Sequence, residues 1–295
     1  KKNEKTTYKP FSKIDFAMNR KIFYIISIIL VIAGVISLAA QGLQLGIDFR
    51  GGSSITVTGE KEISGKEFRN DLKELGYEIE NVDELTGGAM SARIGDTLSQ
   101  KEIKNTEDYF NEKYDATTEI GVVSDIVKKE LIKNAVISLL LAGIAIGIYI
   151  SMRFTFTYAV GAIVALIHDV FMMIGLFSIF RLEVNSMFIA ALLSIVGYSI
   201  NDTIVTFDRI RENIEKKYHG RLRKKEQYIE IVNESLRETF GRSIVTTFTT
   251  LIPVVILIFL GSHEILNFNI ALLFGLISGV YSSLFIASQL WLDLD

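Results

Sequence analysis

Apolar residues along the chain gather into six long runs, at about 22–40, 132–152, 156–180, 186–207, 243–261 and 265–291. Each reaches the ~17–25 residues that a helix needs to cross ~30 Å of hydrocarbon. Soluble core helices rarely stay apolar for so long, so the pattern predicts six membrane-spanning helices. Between the first and second runs the period changes, and strand and amphipathic-helix signals alternate. GIDFRGGSSITVTG (46–59) reads as strand throughout, with IDF, a double glycine and then alternating ITV. SGKEFRNDLKELG (64–76) offers a Ser cap, an apolar stripe at Phe68, Leu72 and Leu75, and a Gly stop. YEIENVDEL and AMSARIG read as two short strands joined through Thr86-Gly87-Gly88. LSQKEIKNTEDYFNEKYD (98–115) reads as a second amphipathic helix and ATTEIGVVS (116–124) as a closing strand. The order βαββαβ predicts a small ferredoxin-like α+β domain. The fold class expected is therefore a polytopic α-helical membrane protein with this domain between helices one and two. Its divisions are an arm at 1–21, a span at 22–40, the domain at 41–130, and spans two to six within 131–295.

Charge sets the expected orientation, because Lys and Arg flanking the spans mark the cytoplasmic side. The arm carries Lys1, Lys2, Lys5, Lys9, Lys13, Arg20 and Lys21, and the loop 209–242 carries ten basic residues, including RLRKK at 221–225. The SMRFT turn adds Arg153. On the other side the turn after span three has only Arg181, and GSHE (261–264) has no Lys or Arg. With six spans, both termini and the basic loop fall in the cytoplasm, and 42–130 becomes extracytoplasmic. That segment holds 19 acidic against 11 basic residues, a net charge of −8, whereas 209–242 is +4. The whole-chain charge of −3 hides this asymmetry. The basic loop reads as a topogenic, lipid-facing segment, and its few aromatic stacking residues argue against a nucleic-acid partner. ISLAAQ (36–41) has the small residues of a cleavage site. The length of the first run, and the polar residues before it, favour a retained anchor over a cleaved signal.

Chemistry narrows the functional classes. There are no cysteines, which removes disulfides, thiolate metal sites and cysteine nucleophiles. The exported domain has no His, and its acidic residues scatter over helix faces, as in a binding or lever module. Gly51-Gly52 lacks a GxGxxG or GKS/T continuation, so a bulge or tight turn is expected there, not a phosphate loop. No catalytic or metal-binding set is expected. What needs explaining is charge inside the membrane: His168-Asp169 in span three, Asn201-Asp202 in span four, and Arg242 where span five begins. A carboxylate at the bilayer centre costs roughly 2.5–3.5 kcal/mol on insertion scales. Asp208-Arg209 reads as interfacial. Helical spacing places Ser194, Tyr198, Asn201, Asp202 and Thr206 on one polar stripe, and Arg242, Thr246, Thr249 and Thr250 on another. Arg242, snorkelling inward, would approach Asp202, and the two stripes would enclose a hydrated path inside the bundle. Asp202 is either a static helix tie or a titrating site. Adjacent helix residues point about 100° apart, so only one of His168 and Asp169 is expected to face the interior. Asp169 and Asp202 on different spans would permit aspartyl intramembrane proteolysis, but the GxGD stretch of those enzymes is replaced here by GYSIND.

Four stretches carry a resemblance: LGIDFRGG (45–52) directly after span one, ALIHDV (165–170), GYSINDTIVTFDRIREN (197–213) and ESLRETFGRSIVTTFTT (234–250). Together they resemble the SecD/SecF family of protein-export membrane proteins, on its SecF side, over essentially the whole chain. The matching positions include Gly46, Asp48, Phe49, Gly51, Gly52, His168, Asp208, Arg209, Arg211 and Asn213. The resemblance implies a fold like half of an RND-type transporter, paired with SecD, fused or separate, in a twelve-span unit. It implies association with the SecYEG translocon and with unfolded polypeptides in transit across the cytoplasmic membrane, driven by the proton motive force without any cofactor. It places Asp202 and Arg242 in a proton path between the SecD and SecF halves, with Asn201 and Asp169 as further members. A non-conducting scaffold and an RND-type small-molecule exporter remain the alternative readings.

Overall fold

The computed structural model describes residues 15–59, 63–85, 88–262 and 265–294. The lysines before residue 15, the Thr86-Gly87 joint and His263-Glu264 lie outside the described residues. In chain order the first elements are α1 (Arg20–Gln41), β1 (Gln44–Leu45), α2 (Ile47–Arg50), β2 (Gly52–Thr58), α3 (Gly65–Glu74), β3 (Ile79–Glu84), β4 (Met90–Ile94), α4 (Gln100–Tyr114) and β5 (Thr117–Val123). Then follow α5 (Asp125–Arg153), α6 (Phe156–Ile179), β6 (Glu183–Val184), α7 (Ser186–Tyr218), α8 (Lys225–Leu260), α9 (Leu266–Ser282), a π-type turn at Ser283–Ala287, and α10 (Ser288–Leu294). Among the described residues six helices are long and apolar enough to span a membrane: α1, α5, α6, α7, α8 and the continuous α9–α10. The chain is a multi-pass membrane protein.

Within the bundle α9 is the hub, packing on α6, α7 and α8. α1 lies along α6, where Gly34 and Gly175 let the two backbones touch: a Cβ built on either would sit 2.9 Å from the other's Cα. α5 stands at the periphery, with Ile150 its one buried residue among those described. Toward the end of the bundle away from the α+β domain, aromatic rings fill the core. Tyr158 packs against Phe207 at 4.8 Å and against Trp291 at 5.0 Å between ring centroids.

Between α1 and α5 the chain forms a four-stranded antiparallel sheet, ordered β3-β4-β2-β5, with Ile55 opposite Ala92 on one side and Ile120 on the other. Ser64 and Ser99 cap α3 and α4, each in a reciprocal box with Glu67 or Glu102. Both helices cover one face of the sheet, closing a core of Ile55, Val57, Phe68, Leu72, Met90, Ile94 and Phe110. The other face carries the alternate positions Ser54, Thr56, Ser91 and Arg93, as a strand of period two requires.

Two expectations are corrected. The stretch 46–59 is not strand throughout, because Ile47–Arg50 form a helical turn. Asp48 supplies the reason, since its Oδ2 accepts the Ser186 N–H at 2.7 Å and draws the chain over the start of α7. Gly51 and Gly52 then take φ of +80° and +100°, turning that helical piece into β2. The basic loop 209–242 is mostly helix. α7 runs on to Tyr218 and α8 begins at Lys225, leaving a short connection. Pairs one turn apart, Arg209–Glu212 at 2.8 Å and Lys216–Glu212 at 2.5 Å, suit such an extension. Lys217, reaching Glu230 at 2.9 Å and Glu234 at 2.5 Å, ties the two extensions together.

Candidate functional site

Asp202 lies 16 residues into α7, about 24 Å along a helix rising 1.5 Å per residue. Its Oδ1 accepts the Ser243 hydroxyl of α8 at 2.6 Å, and its Oδ2 has no hydrogen-bonding partner among the described residues. One turn away, Tyr198 and Thr247 share a hydroxyl contact of 3.2 Å. Asp202 is half-buried, while its neighbours Asn201 and Arg242 are exposed. No ion pair joins Arg242 to Asp202 among the described residues; Ser243 takes the place at the carboxylate that spacing assigned to arginine.

The expected stripes divide accordingly. Thr206, one turn along the same helix, is fully buried. Thr246, Thr249 and Thr250 bond back to carbonyls of their own helix, and all three lie on its exposed or half-exposed side. The polar face carrying Asn201, Asp202 and Arg242 thus opens on the flank of this bundle and is not sealed within it. The expectation of an enclosed path is corrected: α7 and α8 do meet, at Asp202–Ser243 and Tyr198–Thr247, but Asn201 and Arg242 stay exposed, so the two stripes do not enclose a path within this bundle.

Asp169 belongs to a different place. It is 1% exposed, and its carboxylate accepts three hydroxyls: Ser199 at 2.6 Å, Ser278 at 2.7 Å and Ser282 at 2.7 Å. His168 is also largely enclosed, with Nδ1 3.3 Å from Asp169 Oδ1 and its ring stacked on Tyr281. The expectation that one of the pair faces out is therefore corrected. The His168 ring fills the seam where α9 packs on α6, while the Asp169 carboxylate points to α7 and α9. The serines at 278 and 282 were legible as an i, i+4 pair in an apolar run but were not singled out.

At the membrane surface Asp208 accepts from Arg153 at 3.3 Å and from Arg211 at 3.1 Å. Arg209 pairs with Glu212 and lies 3.6 Å from Glu238. The Asn213 amide donates to Ser235 and Glu238, both at 3.0 Å. These residues fasten the C-terminal end of α5 to the later half of α7, and α7 to the first half of α8.

The opposite end joins the α+β domain to the bundle. β1 pairs in parallel with β6, and Gly46 N–H bonds Val184 O at 2.9 Å. A Cβ on Gly46 would lie 2.4 Å from Glu183 Oε1. Arg93 of β4 reaches Glu183 at 3.0 Å and Leu45 O at 3.2 Å. Phe49 packs its ring against the bundle core. Burial pushes the Glu183 carboxyl up despite Arg93, with Asp83 and Asp48 adding to the rise. Arg93 and Glu183 carried no motif signal, and only their convergence marks them.

The chain is thus a six-span helical membrane bundle with a small α+β domain held at the start of α7 and a half-buried carboxylate, Asp202, on the flank of that helix. Residues 101–295 match the family described as protein export membrane protein SecD/SecF, C-terminal, and residues 36–63 match the SecD/SecF GG motif. The chain belongs to the SecD/SecF family of protein-export membrane proteins. It is 37% identical to the protein translocase subunit SecF of Alicyclobacillus acidocaldarius, over 95% of this chain and 92% of that one. It is 43% identical to the protein translocase subunit SecDF of Bacillus subtilis, matching 97% of itself but 38% of that longer protein. The crystal structure of SecDF from Thermus thermophilus superposes with a TM-score of 0.84 at 32% identity, over 95% of this chain and 38% of that one.

Proposed function

We propose that the chain is the SecF-type half of a translocase in the cytoplasmic membrane, using the proton motive force to help unfolded polypeptides finish crossing. The observation that carries this reading is the placement of Asp202. A carboxylate is kept deep in a span, held by one hydroxyl, and presented on the flank beside exposed Asn201 and Arg242. A second six-span half, of SecD type and either fused or separate, would cover that face and complete a proton path there. The partners proposed are that SecD half, the SecYEG channel, the polypeptide in transit and the surrounding lipid. Both termini lie on the cytoplasmic side in this reading. No covalent catalysis and no cofactor enter, because the proton gradient supplies the energy.

Each charge falling through the membrane potential releases about 2.3 kcal/mol per 100 mV. That moves a two-state equilibrium from mostly one form to mostly the other, but short of the ~5.5 kcal/mol needed to go from 1:99 to 99:1. The lever is at hand, since α7 bears Asp202 and starts at the Asp48–Ser186 contact that holds the exported domain. A second SecDF crystal structure, in a super-membrane-facing form, matches at 0.67 with 31% identity against 0.84 at 32% for the first.

The test is Asp202→Asn in cells that also carry the partner half, following release of a secretory protein with the gradient intact and then collapsed. Loss of the gradient-dependent fraction in an assembled complex is the expected result. Export that stays stimulated to the native level would make Asp202 a structural tie and favour a scaffold.

A further inference from the structure

α5 crosses beside the bundle with little packing into it, and the space it leaves is a slot of about 790 Å³ between α5, α6 and α7. That volume falls in the ~300–1,000 Å³ range of ligand sites. Leu139, Gly143 and Gly147 of α5 form one wall, Ile163 and Phe171 of α6 the other, and Val196 of α7 the floor. A Cβ on Gly143 would meet nothing within 4 Å, and one on Gly147 only Ile163 Cδ1 at 3.6 Å. Unlike Gly34 and Gly175, these glycines bring no backbones together; they leave room. Ser151 is the one polar residue among the described lining. The slot follows α5 from Leu139 to Met152, about 20 Å at 1.5 Å per residue. That is more than half of the ~30 Å hydrocarbon thickness, enough for one acyl chain of a single leaflet.

Where the slot ends, charge begins. Met152, 84% exposed, is followed by Arg153, the last residue of α5. Arg153 and Arg211 of α7 lie over one ring, Phe154, at 5.6 and 5.4 Å. Both approach Asp208 Oδ1, at 3.3 and 3.1 Å. Two guanidiniums thus share one carboxylate. Each has more N–H donors than these contacts use, and each side chain stays nearly half exposed. With Asp208, Glu212 and Glu215 they line a second cavity of about 480 Å³. Glu212 is taken up by Arg209 and Lys216. Glu215 has no ion pair among the described residues and stands one turn beyond Arg211. The cavity therefore holds one uncompensated positive charge and one uncompensated negative charge side by side.

A phospholipid with a primary amine in its headgroup fits both features. Arginine takes phosphate through paired N–H bonds, Glu215 takes an ammonium, and the slot takes a tail. We infer that the α5–α6–α7 slot and the Arg153–Arg211 cluster together bind one phosphatidylethanolamine, in the leaflet away from the α+β domain. Bulk lipid tails are as apolar as the slot, so the tail supplies fit and the headgroup supplies preference. Phosphatidylglycerol leaves Glu215 unmatched, and phosphatidylcholine has no N–H to donate to it. The site includes none of Asn201, Asp202 and Arg242 and stands apart from the proton path proposed there.

The full chain, stripped of lipid in mild detergent, is titrated with palmitoyl-oleoyl phosphatidylethanolamine, phosphatidylglycerol or phosphatidylcholine. Native mass spectrometry reads lipid adducts and chain number together. One phosphatidylethanolamine per chain is expected to bind at lower concentration than either other lipid. Arg153→Gln with Arg211→Gln removes the charge-assisted bonds and should weaken that adduct about tenfold or more. Glu215→Gln should narrow the preference over phosphatidylglycerol. Gly143→Leu fills the slot where there is room and favours the helix, so it should fold and lose the adduct. Ala145→Leu, exposed on the same helix outside the slot, should keep it. Equal binding of the three lipids, or native binding by Gly143→Leu, overturns the inference. A native dimer that Gly143→Leu turns into a monomer would assign the slot to a second copy of the chain, and overturns it as well.

Discussion

Arg93 and Glu183, 90 residues apart, meet at 3.0 Å and fasten the antiparallel sheet to the turn between α6 and α7. Arg93 is nearly enclosed, and the Glu183 side chain is 32% exposed. Removing one partner of an enclosed ion pair costs about 3–5 kcal/mol. With Glu183 partly wet, Arg93→Leu is expected at or below the lower end of that range. Glu183→Gln should be milder, since the amide still accepts from Arg93 while the burial cost of the charge disappears. Burial raises the Glu183 carboxyl, so its contribution is full below the unfolded value of about 4.3 and declines as pH rises through the higher folded one. Glu183→Gln should therefore gain stability relative to the native protein between acid and neutral pH. Thermal unfolding of the purified membrane protein across that range checks both the order of the variants and the slope.

The double glycine gives a graded prediction. Gly51 and Gly52 both have positive φ, but a Cβ on Gly51 meets nothing closer than 3.5 Å, while one on Gly52 would lie 2.3 Å from Ile94 O. Gly51→Ala should cost about 1–2 kcal/mol, the conformational term for a left-handed residue. Gly52→Ala adds a collision with the backbone of β4 and should open the sheet. Limited proteolysis of the exported domain is expected to rank them native, Gly51→Ala, Gly52→Ala, and equal sensitivity of the two variants would contradict this account.

The crossing of α1 and α6 depends on contact without side chains. Gly175→Val inserts atoms where Gly34 Cα lies 2.9 Å from an ideal Cβ, and overpacking of this kind costs about 1–3 kcal/mol. Nearby, the Ser37 and Ser178 hydroxyls sit 2.8 Å apart across the same pair of helices. A Ser37→Cys/Ser178→Cys pair should form a disulfide on mild oxidation in the otherwise native chain. Adding Gly175→Val should abolish it.

Alkali should loosen the α+β domain first. Asp71, buried on α3, accepts from Lys113 at 2.5 Å and from Tyr114 at 2.6 Å, pinning α4 beside it. The hydrogen bond to Asp71 raises the Lys113 ammonium, and burial followed by the same bond pushes the Tyr114 phenol up to about 12. Both shifts are upward, so both contributions are intact below the unfolded values near pH 10 and are lost as pH rises through the folded ones. A tyrosinate absorbance titration should show a late phase near pH 12 with concurrent loss of domain structure. Asp71→Asn should move that phase earlier.

Periodicity by itself determined the six spans and the strand–helix order between the first two, because burial in lipid or on one sheet face imposes a repeat of fixed length. The capping serines Ser64 and Ser99 were equally legible, since a cap is satisfied within one turn of its own helix. Asp202 announced itself by the cost of charge in hydrocarbon. What the sequence did not contain was which way each stripe faces. Asp202 and Thr206, four residues apart, seemed to share a face, yet the edge of the α9 contact runs between them and leaves one on the flank and the other in the core. The pairing of Asp202 with Ser243 in place of Arg242, and of Asp169 with three serines, likewise followed from helix placement. Helical spacing specifies angles around an axis to within a turn, whereas hydrogen bonds are decided over ångströms between axes that only the packed bundle sets.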